Sequence, residues 1–258
     1  MAEIRLIALD MDGTILAQNV IIPPAREALD HLVAKGIRVA IVTGRKLEDV
    51  QRILKVNDFL DHYPHAIASE GSFVHLLRDG YYLPDDEWNE KRKSDIEILR
   101  ISIGDKSFEF ADKVKEVVTP ISELIDYGVI YFAFKTNEDA EKARLILDNL
   151  TISFKLAKII RNQRFVGLTI ATGLKGDSLL RIVEGYGLSK DEVLAIGDSH
   201  NDEDMLSQEK GFAVSTTSNA DPTIKGLVLS RGGYVASRPI GEGVVEILSE
   251  YFKGFYGR

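Results

Sequence analysis

Short, nearly continuous apolar runs at residues 4–9, 39–42, 66–68, 193–196 and 228–229 have the pattern of strands buried on both faces. Between the first two, Ala25, Ala28, Leu29, Leu32 and Val33 recur at helical spacing across residues 23–35, with proline near the start and Gly36 just past the end. This is the signature of a strand, helix, strand unit. The same order returns at residues 175–186, where Leu179, Leu180, Ile182 and Val183 form the apolar stripe and Gly187 closes the helix ahead of the run at 193–196. Strands alternating with helices at both ends of the chain predict an α/β fold, with one parallel sheet covered by helices.

The middle of the chain has a different rhythm. A turn signal at Arg78-Asp79-Gly80 and a charged stretch at 85–93 precede a strand over 129–134 and a helix over 138–150. Two further strand-like runs, 152–160 and 164–171, flank a polar turn at 161–163 and predict an antiparallel hairpin. The expected organisation is a core of residues 1–82 and 172–258 interrupted by an inserted α+β domain at 83–171. Tyr127, Tyr131, Phe132 and Phe134 are expected in the core of that insert.

Composition narrows the chemistry. A net charge of −8 with no long Lys/Arg run leaves no electrostatic footprint for nucleic acid or an anionic membrane. The chain has no cysteine, which excludes disulfides, thiolate metal sites and thiol nucleophiles. The first ten residues carry Glu3, Arg5 and Asp10, too charged and too short for a secretory signal, and no apolar run reaches membrane-spanning length. A soluble, cytoplasmic protein is expected. His31, His62, His65, His75 and His200 are dispersed, without metal-ligand spacing.

The run at 4–9 ends in Asp10-Met11-Asp12-Gly13-Thr14, and the run at 193–196 ends in Gly197-Asp198-Ser199-His200-Asn201-Asp202. Ligands of open α/β sheets bind at the carboxyl ends of the strands, so parallel packing would bring both acidic loops to one edge. Converging carboxylates without Cys or a His cage favour a hard cation held by oxygen, and magnesium is the expected ion. An aspartate can also attack phosphorus to form an aspartyl-phosphate. Asp10 is the candidate nucleophile and Asp12 the candidate acid and base. Thr43, in Val42-Thr43-Gly44-Arg45, and Lys175, in Leu174-Lys175-Gly176-Asp177, stand where they could neutralise the oxygens of a transferring phosphoryl group. Taken singly, the first acidic cluster also reads as a strand-ending turn and the second as a helix cap. Their ordered conjunction with Thr43 and Lys175 favours chemistry.

These four motifs, in this order, resemble the haloacid dehalogenase superfamily of phosphatases over the whole chain. The insertion between the second and third motifs is similar to the C2B-type cap of the Cof-type branch, which includes sucrose-phosphate, mannosyl-3-phosphoglycerate and archaeal phosphoglycolate phosphatases. The resemblance implies a Rossmann-like core with a mobile cap and hydrolysis of a small phosphorylated metabolite. It makes Asp10 nucleophile and magnesium ligand, Asp12 the acid and base that also ligates through its backbone carbonyl, and Asp198 the third ligand. Thr43, Gly44, Lys175 and Asn201 would hold phosphate, Asp202 would support the metal shell, and Arg45 would reach substrate or cap.

At one place the sequence departs from the family pattern. Ser69-Glu70-Gly71-Ser72 stands where many relatives carry Asn-Gly-Ala, which bears on substrate choice. Ser218-Asn219-Ala220 and Gly241-Glu242-Gly243-Val244 fit further family patterns loosely. A phosphomutase, or a phosphometabolite-binding regulator without catalysis, is the alternative reading, and an exposed sheet in the cap could mediate a homodimer.

Overall fold

The computed structural model describes residues 3–59 and 64–253, so His62 lies outside the described residues. In chain order the first strands are β1 (Leu6–Leu9), β2 (Leu16–Ala17) and β3 (Val20–Ile21), followed by α1 (Pro23–Val33), β4 (Arg38–Val42), α2 (Leu47–Val56), β5 (Ala66–Ser69), β6 (Phe73–Arg78) and β7 (Tyr81–Pro84). Next come α3 (Asp86–Ile103), α4 (Lys106–Lys115), β8 (Ser122–Asp126), β9 (Val129–Ala133), α5 (Asn137–Thr151), β10 (Ala157–Asn162) and β11 (Phe165–Ile170). The chain then continues through α6 (Lys175–Gly185), β12 (Val193–Ile196), α7 (Glu203–Leu206), β13 (Ala213–Thr216), α8 (Pro222–Ser230), β14 (Tyr234–Val235) and α9 (Ile240–Tyr251).

Two compact units result. The first takes the described residues up to Asn89 and those from Leu174 onward. Its sheet runs β14-β13-β12-β1-β4-β5-β6-β7, parallel from β14 to β5 and antiparallel beyond. Every residue of β1 is buried, because successive side chains enter opposite layers. Ile7 and Leu9 meet Leu29 and Leu32 of α1, Ile53 of α2 and Ile247 of α9 on one face. Leu6 and Ala8 meet Leu179 and Ile182 of α6, Met205 of α7 and Val228 of α8 on the other. Full burial of one such side chain is worth about 1.5–3 kcal/mol, so the continuous apolar run is what fixes β1 at the centre. Since β4 lies on one side of β1 and β12 on the other, the strand order reverses there and opens a crevice at the carboxyl end of β1.

The run at 228–229 is not a strand. It lies in α8, with Val228 buried and Leu229 largely exposed. Two adjacent apolar residues cannot distinguish a period of 2 from one of 3.6, and the strand next to β12 is instead β13.

The second unit, Glu90–Gly173, is α+β. Its antiparallel sheet runs β10-β11-β9-β8, and Phe132, Ile159, Val166 and Leu168 pack with Phe110 and Val114 of α4 and Ala143 and Leu147 of α5. The hairpin expected over 152–171 forms, but β10 begins only at Ala157 and pairs through Asn162, so the turn is narrower than the polar signal suggested. Phe132 and Phe134 are core residues, whereas Tyr127 and Tyr131 are exposed. Tyr131 faces away because it stands between Ile130 and Phe132 in β9, and its ring covers Gly167, where a Cβ would sit 2.4 Å from the ring. No helix among the described residues is long and apolar enough to cross a membrane.

His65 immediately precedes β5, and His75 pairs with that strand from β6. His65 Nδ1 accepts the Val39 N–H at 3.1 Å, and burial lowers the affinity of both rings for a proton below the ordinary histidine value of 6.5. As pH falls through 6.5, the unfolded chain binds protons that the folded chain still refuses, so stability declines. Urea unfolding midpoints are expected to fall from pH 7 to pH 5, with a shallower slope in His65→Asn.

Candidate active site

The site begins with the exit of β1 from the sheet. The Asp10 N–H continues the parallel ladder by donating to the Ile196 carbonyl at 3.0 Å, which holds Asp10 in register with the end of β12. The chain then turns sharply: the N–H groups of Ile15 and Leu16 both donate to the Met11 carbonyl, and Gly13 adopts φ +81°. At Gly13 a Cβ would lie 2.4 Å from Asp198 Oδ2, so glycine lets the two acidic loops approach each other. Thr14, fully buried, donates its hydroxyl to Asp198 Oδ1 at 3.0 Å.

The second loop forms around a buried carboxylate. Asp202 Oδ2 accepts the N–H groups of Asp198 at 2.9 Å and Ser199 at 3.0 Å, closing a capping box at the short turn His200–Asp202. Thr216, from the end of β13, donates to the Gly197 carbonyl at 2.7 Å. The remaining oxygen of Asp202 meets Lys175, the first residue of α6. Lys175 Nζ donates to Asp10 Oδ1 and to Asp202 Oδ1, each at 2.6 Å, and all three side chains are buried. Burial alone would disfavour the ammonium, but the two carboxylates outweigh it and raise its proton affinity.

Asp10, Asp198 and Asp202 each offer an oxygen within 4.8 Å of the others. Asp10 Oδ2 is buried with no hydrogen-bond partner. Burial first, and then mutual repulsion that Lys175 only partly offsets, raises the proton affinity of the Asp10 and Asp198 carboxyls above the usual carboxylate range. Three crowded hard oxygens, an orphaned one among them, fit a divalent cation, which would supply the missing compensation.

The Asp12 carboxylate stands outside this cluster. Arg45 grips it in a fork, Nε to Oδ2 and Nη2 to Oδ1, both at 2.6 Å, and Arg45 Nη2 also reaches Asn19 Oδ1 at 3.1 Å. Arg45 is therefore engaged with Asp12. Thr43, buried at the end of β4, accepts the Arg45 N–H on its hydroxyl at 3.3 Å, and its own carbonyl accepts from Gly71. Gly44 presents a bare backbone 4.0 Å from Asn201 Nδ2, measured from where a Cβ would be. The other end of the Asn201 carboxamide is fixed by the Ser199 hydroxyl at 2.6 Å. Glu70 occupies φ +52°, a conformation that asparagine tolerates better, while its N–H donates to the Arg45 carbonyl at 2.8 Å. Burial raises the proton affinity of the Glu70 carboxyl.

Sequence reasoning passed over Thr14, Ser199 and Asn19 as site residues, because each acts by a hydrogen bond to a partner that spacing cannot identify. Asn219, noted only as part of a loose pattern, donates to the Gly13 carbonyl at 2.9 Å and accepts the Ile240 N–H at 2.7 Å, tying the first acidic loop to the start of α9.

Comparison with known proteins is consistent in direction. A family model described as haloacid dehalogenase-like hydrolase matches residues 7–97 and 91–228. The phosphoglycolate phosphatase of Staphylothermus marinus is 25% identical over 250 residues, spanning 96% of this chain and 97% of its own. A 5-amino-6-(5-phospho-D-ribitylamino)uracil phosphatase of Bacillus subtilis is 25% identical over 245 residues, spanning 78% of this chain and 84% of its own. Among solved structures, the sucrose-phosphatase of Synechocystis shares the fold with a TM-score of 0.69 at 14% identity, covering 97% of this chain and 98% of that one.

The close approach at Gly13 makes a direct prediction. In Gly13→Ala the new methyl would meet Asp198 and the residue would keep an unfavourable φ, so folding stability should drop by roughly 2 kcal/mol or more, read from urea unfolding.

Proposed function

Because the chain belongs to the haloacid dehalogenase-like hydrolase family, we propose that it is a magnesium-dependent phosphatase that cleaves a small phosphorylated metabolite through an aspartyl-phosphate on Asp10. The observation that carries this reading is the split environment of the Asp10 carboxylate: Oδ1 is held by Lys175 and Oδ2 is buried with no partner. A carboxylate so oriented can divide its two oxygens between the cation and the phosphorus it attacks.

In the first half-reaction an Asp10 oxygen bonds to phosphorus as the bond to the leaving oxygen breaks, and Asp12 gives that oxygen a proton. In the second, water attacks the phosphorus of the aspartyl-phosphate, Asp12 takes the water proton, and phosphate and the Asp10 carboxylate are regenerated. Both Asp12 oxygens are occupied by Arg45 donors in the resting arrangement, so proton delivery requires that fork to release at least one of them. Lys175 offsets charge on Asp10 and on the transferring group, while Thr43, the Gly44 backbone and Asn201 offer donors to the phosphoryl oxygens. Magnesium, held by Asp10, Asp198 and the Asp12 carbonyl with Asp202 in support, would neutralise the charge shared by nucleophile and phosphate.

The inserted unit is proposed as the cap that selects the leaving group. The similarity to the phosphoglycolate phosphatases of Staphylothermus marinus and Methanoculleus marisnigri, which match this chain nearly end to end, supports a small phosphorylated metabolite of the phosphoglycolate or sugar phosphate class as the substrate proposed here. A cytoplasmic setting is consistent with metabolites of that class.

A panel of phosphorylated metabolites assayed for phosphate release should give turnover that EDTA removes and magnesium restores. Asp10→Asn should abolish that turnover, and Asp12→Asn should lower kcat by about 10²–10⁴-fold. Wild-type rates in Asp10→Asn would refute the reading, and substrate isomerisation without phosphate release would indicate a mutase.

A further inference from the structure

The helix that delivers Lys175 does not cap itself. Leu174 stands at the N-cap of α6 with an apolar side chain and makes no cap hydrogen bond. A helix N-terminus leaves its first N–H groups without intrahelical partners. Here the N–H of Gly176, the residue after Lys175, is taken by Asp204 Oδ2 at 2.8 Å, a carboxylate supplied by α7. The other Asp204 oxygen lies 3.1 Å from Lys210 Nζ, and Lys210 also pairs with Asp177 in the first turn of α6. Lys210 is itself buried. Gly176 permits this contact, since a Cβ there would fall 2.6 Å from Asp204 Oδ2 and 2.6 Å from Lys210 Cε.

Asp204 lies two residues beyond Asp202, in the same continuous turn of chain. Asp202 holds the tip of the Lys175 side chain, and Asp204 holds the backbone from which that side chain departs. One turn of chain therefore grips Lys175 at both ends. We propose that Asp204 is a positioning residue for Lys175, and that Lys210 aims it by engaging its second oxygen and Asp177 together. The inference rests on the reading of Lys175 as part of the phosphatase site. Its logic is geometric: an ammonium shared between two carboxylates at 2.6 Å tolerates little displacement of the helix start that carries it.

Two measurements test this, one of which does not depend on turnover. In the first, p-nitrophenyl phosphate and the best metabolite of the panel are assayed well below the unfolding temperature of each variant. Asp204→Ala and Lys210→Met should lower kcat by about tenfold with a much smaller change in KM, and Asp204→Asn, which can still accept the Gly176 N–H, should recover part of the loss. The surface variant Glu116→Ala should match wild type. In the second, acetic anhydride footprinting read by mass spectrometry should show Lys175 protected in wild type and several-fold more labelled in Asp204→Ala, relative to the exposed Lys93. Folded Asp204→Ala protein with wild-type kcat and wild-type protection of Lys175 would overturn the proposal. A protein without any phosphatase activity, but with Lys175 exposed by Asp204→Ala, would sink the functional reading and leave the positioning role standing.

Discussion

The ammonium of Lys175, shared between Asp10 and Asp202, is the interaction around which the first unit is organised. Three buried carboxylates converge on one point, and the ammonium pairs directly with two of them. Removing ions from water costs several kcal/mol each, and breaking such a pair from one side costs about 3–5 kcal/mol. The arrangement is therefore a burden on the fold, carried by the apolar layers on either side of β1. Asp202 is the best satisfied of the three, with two backbone N–H groups on one oxygen and Lys175 on the other. Asp10 has Lys175 on one oxygen and no hydrogen-bond partner on the other.

Much of the fold was legible because the central strands of the first unit's sheet are buried on both faces. A strand such as β1 or β12 then has to be continuously apolar, and the carboxylates at its end stand out against that run. Parallel pairing of β1 with β12 in register brings Asp10 and Asp198 to one edge with no further information required. Where the signal was shorter it failed. Val228 is buried and Leu229, the next residue of the same helix, is exposed, and Ala157 opens a strand whose apolar neighbours upstream belong to no strand.

The parts of the site that sequence could not supply share one physical character. The fork of Arg45 on Asp12 joins residues 33 apart, and the Thr14 hydroxyl on Asp198 spans 184. Hydrogen bonds between side chains leave no periodicity and no composition bias, so they appear only once the backbone has brought the loops together. Gly13 and Gly176 are intermediate cases. Each marks a place where a distant segment comes too close for a side chain, though the sequence does not say which segment.

The position of β1 between β4 and β12 also orders the birth of the molecule. β4 follows β1 closely along the chain and can pair with it early, whereas β12 is separated from it by most of the polypeptide. A ribosome that has made the first ninety residues has already exposed Asp10 and Asp12, while Lys175, Asp198 and Asp202 are still unwritten. Closing so long a loop is slow, and domains tend to form as units in the order of their synthesis. The reactive centre therefore cannot be completed until the chain has returned to the first unit through α6 and β12, and a nascent or truncated chain that stops short of them lacks the charges that would arm its first aspartate.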